Sequence, residues 1–124
     1  LVLHTAQPPV LCTGFHGSVA SAASHLFNLE SSDAAKGCLA GAPLLSSHDE
    51  STKVPGVFLV GPTVRHGELS FCFIYKFRQR FAIVANQICR GLGRDTEAAV
   101  SECRKMNMFM DDMSCCESTC GETC

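Results

Sequence analysis

Four thiols crowd the last ten residues: Cys115 and Cys116 are adjacent, and Cys120 and Cys124 follow. Cys115 and Cys116 are a candidate redox pair. Thiol–disulfide exchange needs an accessible thiolate, and a tethered tail raises the local thiol concentration. The same four sulfurs are a candidate soft-metal or iron–sulfur site, although C-C-x3-C-x3-C is neither the usual CxxC zinc spacing nor a standard cluster spacing. In a third reading, local disulfides tie down a surface tail. Asp111, Asp112, Glu117 and Glu122 surround the thiols. Negative neighbours disfavour the thiolate, which weighs against exchange. Met106, Met108, Met110 and Met113 offer thioethers near the thiols, or adaptable packing for a C-terminal segment.

Beyond the tail, His66 beside Arg65 is a candidate base, or a capping or surface histidine. His16 reads as structural. His4, His25 and His48 show no partner in sequence. Phe71, Phe73, Tyr75, Phe77 and Phe81 suggest a stacking platform, but their phase assigns most of them to a core, with Phe71 and Phe73 free to face a ring. Lys76, Arg78 and Arg80 alternate, so they share no single helical face and form no phosphate clamp.

The elements that would position these groups are few. "VLCTGF" reads as a short buried strand ended by Gly14, and "GSVASAASHLFNL" as a short helix or turn-rich loop. Residues 30–53 are small, polar and broken by Gly37, Gly41 and Pro43, a surface excursion with one weak strand at Leu44-Leu45. Pro55-Gly56 fits the centre of a type II turn. Val57–Val60 reads as a strand buried on both faces, as parallel strands are, ended by Gly61-Pro62. The strongest signal is a helix over about 71–91. Ile74, Phe77, Phe81, Val84, Ala85, Ile88 and Leu92 fall at steps of three and four, predicting one buried face. Gly91 or Gly93 can end it in the left-handed conformation. A shorter helix follows from Asp95 or Thr96, with Arg104 and Lys105 suited to its C-terminal end. Beyond Phe109 little is left to bury. Three segments result: 1–94, the short helical segment 95–110, and the acidic Cys-rich tail 111–124.

The 124 residues allow one modest core, and the net charge of −2 argues against a dedicated nucleic-acid binder. No apolar run approaches the roughly 18 residues of a membrane span. "LVLHTAQPPV" has neither an initiator Met nor a basic n-region, and reads as a processed chain or a fragment whose upstream part is missing. Charge is uneven: residues 65–94 carry Arg65, Lys76, Arg78, Arg80, Arg90 and Arg94 against Glu68 alone. Nine cysteines is a high, odd count. Cys12, Cys72 and Cys89 sit in apolar patterns, where free Cys behaves as a small hydrophobe. That favours an intracellular, reducing compartment, with cytoplasm and organelle (plastid or mitochondrion) not distinguished. Two short buried strands are too few for an independent sheet, so the chain reads as one end of a larger α/β layer structure.

"CTG" at residues 12–14, an insertion, then "TKVPGVFLVG" at 52–61 and a long helix resemble the C-terminal part of the FAD-binding domain of two-dinucleotide-binding flavoproteins. These include pyridine nucleotide-disulfide oxidoreductases, thioredoxin reductases and flavin monooxygenases. The likeness covers about residues 8–92 and implies a partial Rossmann-like α/β fragment. It places Gly14, Gly61, Thr63, Val64, Arg65 and His66 nearest a flavin. In that setting His66 becomes a candidate flavin contact, and the Cys tail resembles the mobile C-terminal Cys pair of some family members. Three features depart from the family. Pro62 stands where an Asp is usual, G-x-G-x-x-G is absent, and so is the CxxxxC redox pair. FAD would bind only with the rest of the fold, and NAD(P)H would act indirectly.

The resemblance implies the C-terminal part of an FAD/NAD(P)-dependent oxidoreductase that passes electrons to a thiol, disulfide or other acceptor. The alternative is a non-catalytic structural subunit docked in a larger assembly, and the third reading a soft-metal-binding module. The expected partner is a missing N-terminal portion or another protein chain.

Overall fold

The computed structural model describes residues 7, 18–31, 41–67, 69–71 and 73–113. The first expected strand with Gly14, together with His4, His16, Cys12, Cys38, Cys72 and the tail thiols Cys115, Cys116, Cys120 and Cys124, lies outside the described residues. Within them the fold is a small mixed α/β arrangement: helix α1 (Ser18–Ala22), the hairpin β1 (Arg65–His66) and β2 (Leu69–Ser70), and helices α2 (Ile74–Gly91) and α3 (Glu97–Lys105). The hairpin is antiparallel, with Arg65 opposite Ser70 and His66 opposite Leu69.

Between α1 and the hairpin the chain folds back on itself through isolated antiparallel bridges: Leu29 with Pro43, Leu45 with Ser51, and Glu50 with Phe58. Ser51 knots this stretch. Its hydroxyl donates to the Leu26 carbonyl at 2.6 Å and accepts the amides of Lys53 and Val54 at 3.0 and 3.1 Å. Residues 44–53 are therefore more than a surface excursion, since Asp49 and Ser51 are buried. The expected turn forms at Val54–Val57, where Gly56 has φ +79° and the Val57 amide reaches the Val54 carbonyl at 3.4 Å.

Val57–Val60 does not form the expected parallel strand. Phe58 makes one antiparallel bridge to Glu50, and Val60 is 47 % exposed. An interior parallel strand needs hydrogen-bonding neighbours on both edges as well as cover over both faces. Here the described residues supply one, the loop carrying Asp49.

Both longer helices end in the geometry their sequences suggest. Gly93 (φ +72°) closes α2: its amide donates to the Arg90 carbonyl, and the next amide, Arg94, to that of Cys89, each at 2.9 Å. This double bond pattern is the Schellman motif, which favours Gly at the left-handed position. Asn107 (φ 54°) plays the same part after α3. At the start of α3 the side chain of Asp95 accepts the Glu97 amide at 3.0 Å. Thr96 donates instead to Asn86 on α2 at 2.6 Å.

The core is Val64, Leu69 and Phe71, flanked by Leu45, Leu59, Phe77, Met110 and Met113. The segment after Phe109 therefore does bury side chains, correcting the expectation that little was left there. Phe71 lies before α2, which starts at Ile74, three residues later than the periodicity placed it.

The largest departure is the orientation of α2. Its buried residues are Gln79, Arg80, Ile83 and Val84. The stripe expected to face the core is divided: Val84 is buried and Phe77 packs against the core, whereas Ile74 is 71 % exposed, Phe81 45 %, Ile88 43 % and Leu92 73 %. Polar anchors hold the opposite face inward. The Gln79 amide donates to the Asn107 carbonyl at 2.9 Å, Asn86 accepts from Thr96, and Arg80 enters the cluster described next.

Candidate functional site

The chemistry-bearing residues that the fold brings together are Asp49, His66 and Arg80. Asp49 sits at the tip of a short turn. Ser46 begins it, its hydroxyl accepting the His48 and Glu50 amides at 3.2 Å each. The turn puts Asp49 at φ 63°, a conformation Asp tolerates better than most residues. His66 comes from β1 and Arg80 from the second turn of α2.

Asp49 and Arg80 are both fully buried. The guanidinium grips the carboxylate with two bonds, Nε to Oδ2 at 2.9 Å and Nη2 to Oδ1 at 2.8 Å. Such forked pairing is stronger and more directional than a single bond. The imidazole Nε2 of His66 lies 2.5 Å from Asp49 Oδ1. Because an ionised carboxylate only accepts, Nε2 carries the proton in this contact. Arg80 also donates to the carbonyls of Met110 (2.5 Å) and Ser47 (2.6 Å). One arginine thus pins the 47–49 turn, the C-terminal segment and α2 together. Phe71 closes the cluster, edge-on to His66 at 5.9 Å and 5.8 Å from the Arg80 guanidinium.

Burial alone would raise the Asp49 carboxyl. The bonds from His66 and Arg80 and the charge of Arg80 outweigh it, holding the group below the usual carboxylate range. A His–Asp pair is a possible general base when the imidazole faces a substrate hydroxyl. Here the carboxylate is already neutralised by Arg80, and the ring packs against Phe71. The chemistry available is structural clamping.

Gly61, Thr63, Val64, Arg65 and His66 run continuously from a turn into β1, with the Val64 amide on the Gly61 carbonyl at 3.2 Å. Gly61 has φ +102°, and a Cβ built there meets nothing within 4 Å among the described residues. Its backbone angle, rather than a close approach, calls for glycine at this position. Val64 is fully buried. Arg65 donates to the carbonyls of Pro62 and Val64, both at 3.2 Å. With His66 held by Asp49, the ionic groups of this stretch are turned into the chain itself. Of the positions the resemblance places nearest a flavin, Gly61, Thr63, Val64, Arg65 and His66 thus share one turn and the strand that follows it. Gly14 and the Cys tail lie outside the described residues.

Among the described residues no group of three or more His, Cys, Asp or Glu is placed to hold a metal. Cys89 and Cys103 are free thiols, each half-buried. Among the described residues no helix is long and apolar enough to cross a membrane. A cleft of about 910 Å³ opens between α2 and α3. Its lining carries Arg90, Arg94, Arg104 and Lys105 beside Asp95, Glu97 and Asp111, so charges of both signs meet in it.

The periodicity that found α2 gave no sign of the clamp. Asp49 lay in a stretch read as surface loop, and Arg80 was one of three alternating cations. One signal was available. Arg80 lies three and four residues before Ile83 and Val84, the two apolar side chains that α2 buries. No protein-family model matches the chain.

Proposed function

We propose that this chain is a non-catalytic assembly subunit that uses the outer face of α2 as a protein interface. The supporting observation is the exposed part of that helix's apolar stripe: Ile74, Phe81, Ile88 and Leu92 face outward while Arg80 and Gln79 face inward beside Ile83 and Val84. Contiguous apolar surface of this kind marks interaction sites in soluble proteins. The clamp at Asp49 is the device that fixes the orientation, because it spends the polar face of α2 on the chain's own loops.

The test replaces the stripe. In the triple variant Ile74→Gln, Phe81→Gln, Ile88→Gln, helix content by circular dichroism and the melting temperature at low protein concentration stay close to those of the parent. A variant that loses its helix would mean the stripe is core and would end the proposal. The visible spectrum of the preparation separates the oxidoreductase reading. Flavin bands in the purified protein would favour that reading over a non-catalytic subunit.

A further inference from the structure

We propose that the interface on α2 is taken by a second copy of this chain, as an antiparallel helix pair with Phe81 of each copy against Ala85 of the other. The inference rests on the docking reading above and names its partner.

Two rows make up the exposed face. Ile74, Phe81 and Ile88 are spaced by seven residues, and so are Arg78, Ala85 and Leu92. All six are exposed. Rows that repeat every seven residues form a straight seam along a helix and suit a helical partner. The spacing of the seam is symmetric about its middle, so that reversing the helix lays one row on the other. Turned end for end, Ile74 meets Leu92, the large Phe81 meets the small Ala85, and Arg78 meets Ile88. A surface complementary to itself is what a twofold dimer requires.

Charge selects the direction. In a parallel pair Arg78 would face Arg78 directly. In the antiparallel pair the two Arg78 groups stand about 15 Å apart along the axis at ~1.5 Å per residue, beyond the screening length of roughly 8 Å. Each Arg78 can then lay its methylene stem along Ile88 and keep its guanidinium in water. Arg90 is on the inner side and lines the α2–α3 cleft.

Area is adequate as well. The four large apolar seam residues, Ile74, Phe81, Ile88 and Leu92, expose on the order of 500 Å² per copy. Phe73 and Tyr75, stacked on each other at 5.8 Å at the start of α2, are also more than half exposed and add apolar surface there, against the ~800 Å² per partner of a standard interface.

Sedimentation of the full chain under reductant, which removes intermolecular disulfides, is the experiment. The expected mass is twice the 13.3 kDa of one chain. Phe81→Glu places a carboxylate on the seam, and Ala85→Phe fills the space Phe81 needs. Each weakens association by about 30-fold or more while the far-ultraviolet spectrum is unchanged. Arg78→Leu strengthens it. A single-chain mass at every soluble concentration overturns the inference, as does a dimer indifferent to Phe81→Glu. The triple stripe variant separates the two levels. If it melts like the parent while the parent is monomeric, only the self-pairing fails. If it unfolds, the docking reading fails too.

Discussion

Arg80 and Phe81 are neighbours in sequence and opposites in environment. The arginine is fully buried with four bonds to Asp49, Met110 and Ser47, whereas the phenylalanine is 45 % exposed. The two faces of α2 therefore hold different information. The inner face specifies the chain's own fold through directional polar bonds beside the buried Ile83 and Val84. The outer face carries the non-directional apolar surface that ordinarily drives a core. A helix oriented this way is anchored by geometry and leaves its hydrophobic surface for another body.

The comparison breaks most readily at the clamp. Asp49→Ala strands a buried guanidinium, and Arg80→Met strands a buried carboxylate. Either costs about 3–5 kcal/mol, the range for an uncompensated buried charge. Replacing both together costs less than the sum of the two, because no charge is left alone. Denaturant titration of the two single variants and the double variant measures this. Additive losses would show that the pair does not act as a unit.

How far the sequence disclosed this arrangement differs between the faces. Apolar periodicity located α2 to within three residues at its start, and Gly93 and Asp95 marked its end and the beginning of α3. Period reports only that a helix has an apolar side, not what that side meets. Assigning the stripe to the core assumed that this chain supplies the core. Asp49 was invisible for a related reason: its burial depends on Arg80, 31 positions away, and no local pattern encodes a pair that distant. The Val57–Val60 run failed as a strand because apolar content is necessary for a buried strand but does not provide its neighbours. The stretch around Gly61 was located as a turn, while its ionic groups proved to be turned toward the chain.

A smaller effect sharpens the inner-face account. His66→Ala removes a charge-assisted bond to Asp49 and the edge-on contact with Phe71, at a cost of about 2 kcal/mol. The loss should be smaller than that for Arg80→Met. Acid sensitivity follows from the same carboxylate. The folded Asp49 group titrates below its unfolded value of about 3.9. Its contribution is therefore complete above that pH and is lost as pH falls toward the depressed folded value. Stability measured from pH 6 downward should hold until about pH 4 and then decline. In Asp49→Asn that part of the decline should be missing.

On the outer face the matching single change should register only weakly in the isolated monomer. Phe81→Gln removes a ring that is 45 % exposed and meets only Phe77 among the aromatic rings, at 5.9 Å, so the melting temperature at low protein concentration should fall far less than for Arg80→Met one position earlier. A large loss for Phe81→Gln would erase the distinction between the faces.

The smallest effect belongs to a pair that looks similar to the clamp and lacks its burial. Arg104 bonds Asp111, and both side chains are about half exposed. Arg104 also lies over the Phe109 ring at 5.0 Å. The bond from Arg104 holds the Asp111 carboxyl below its ordinary range, against a weak opposing effect of burial. Solvent screens such pairs, and exposed ion pairs contribute below about 1 kcal/mol. Arg104→Ala should therefore return the Asp111 titration, followed by nuclear magnetic resonance, to the ordinary carboxylate range while leaving the unfolding midpoint almost unmoved. A midpoint shift as large as that of Arg80→Met would mean that ion pairing itself, rather than burial of the pair, holds this fold.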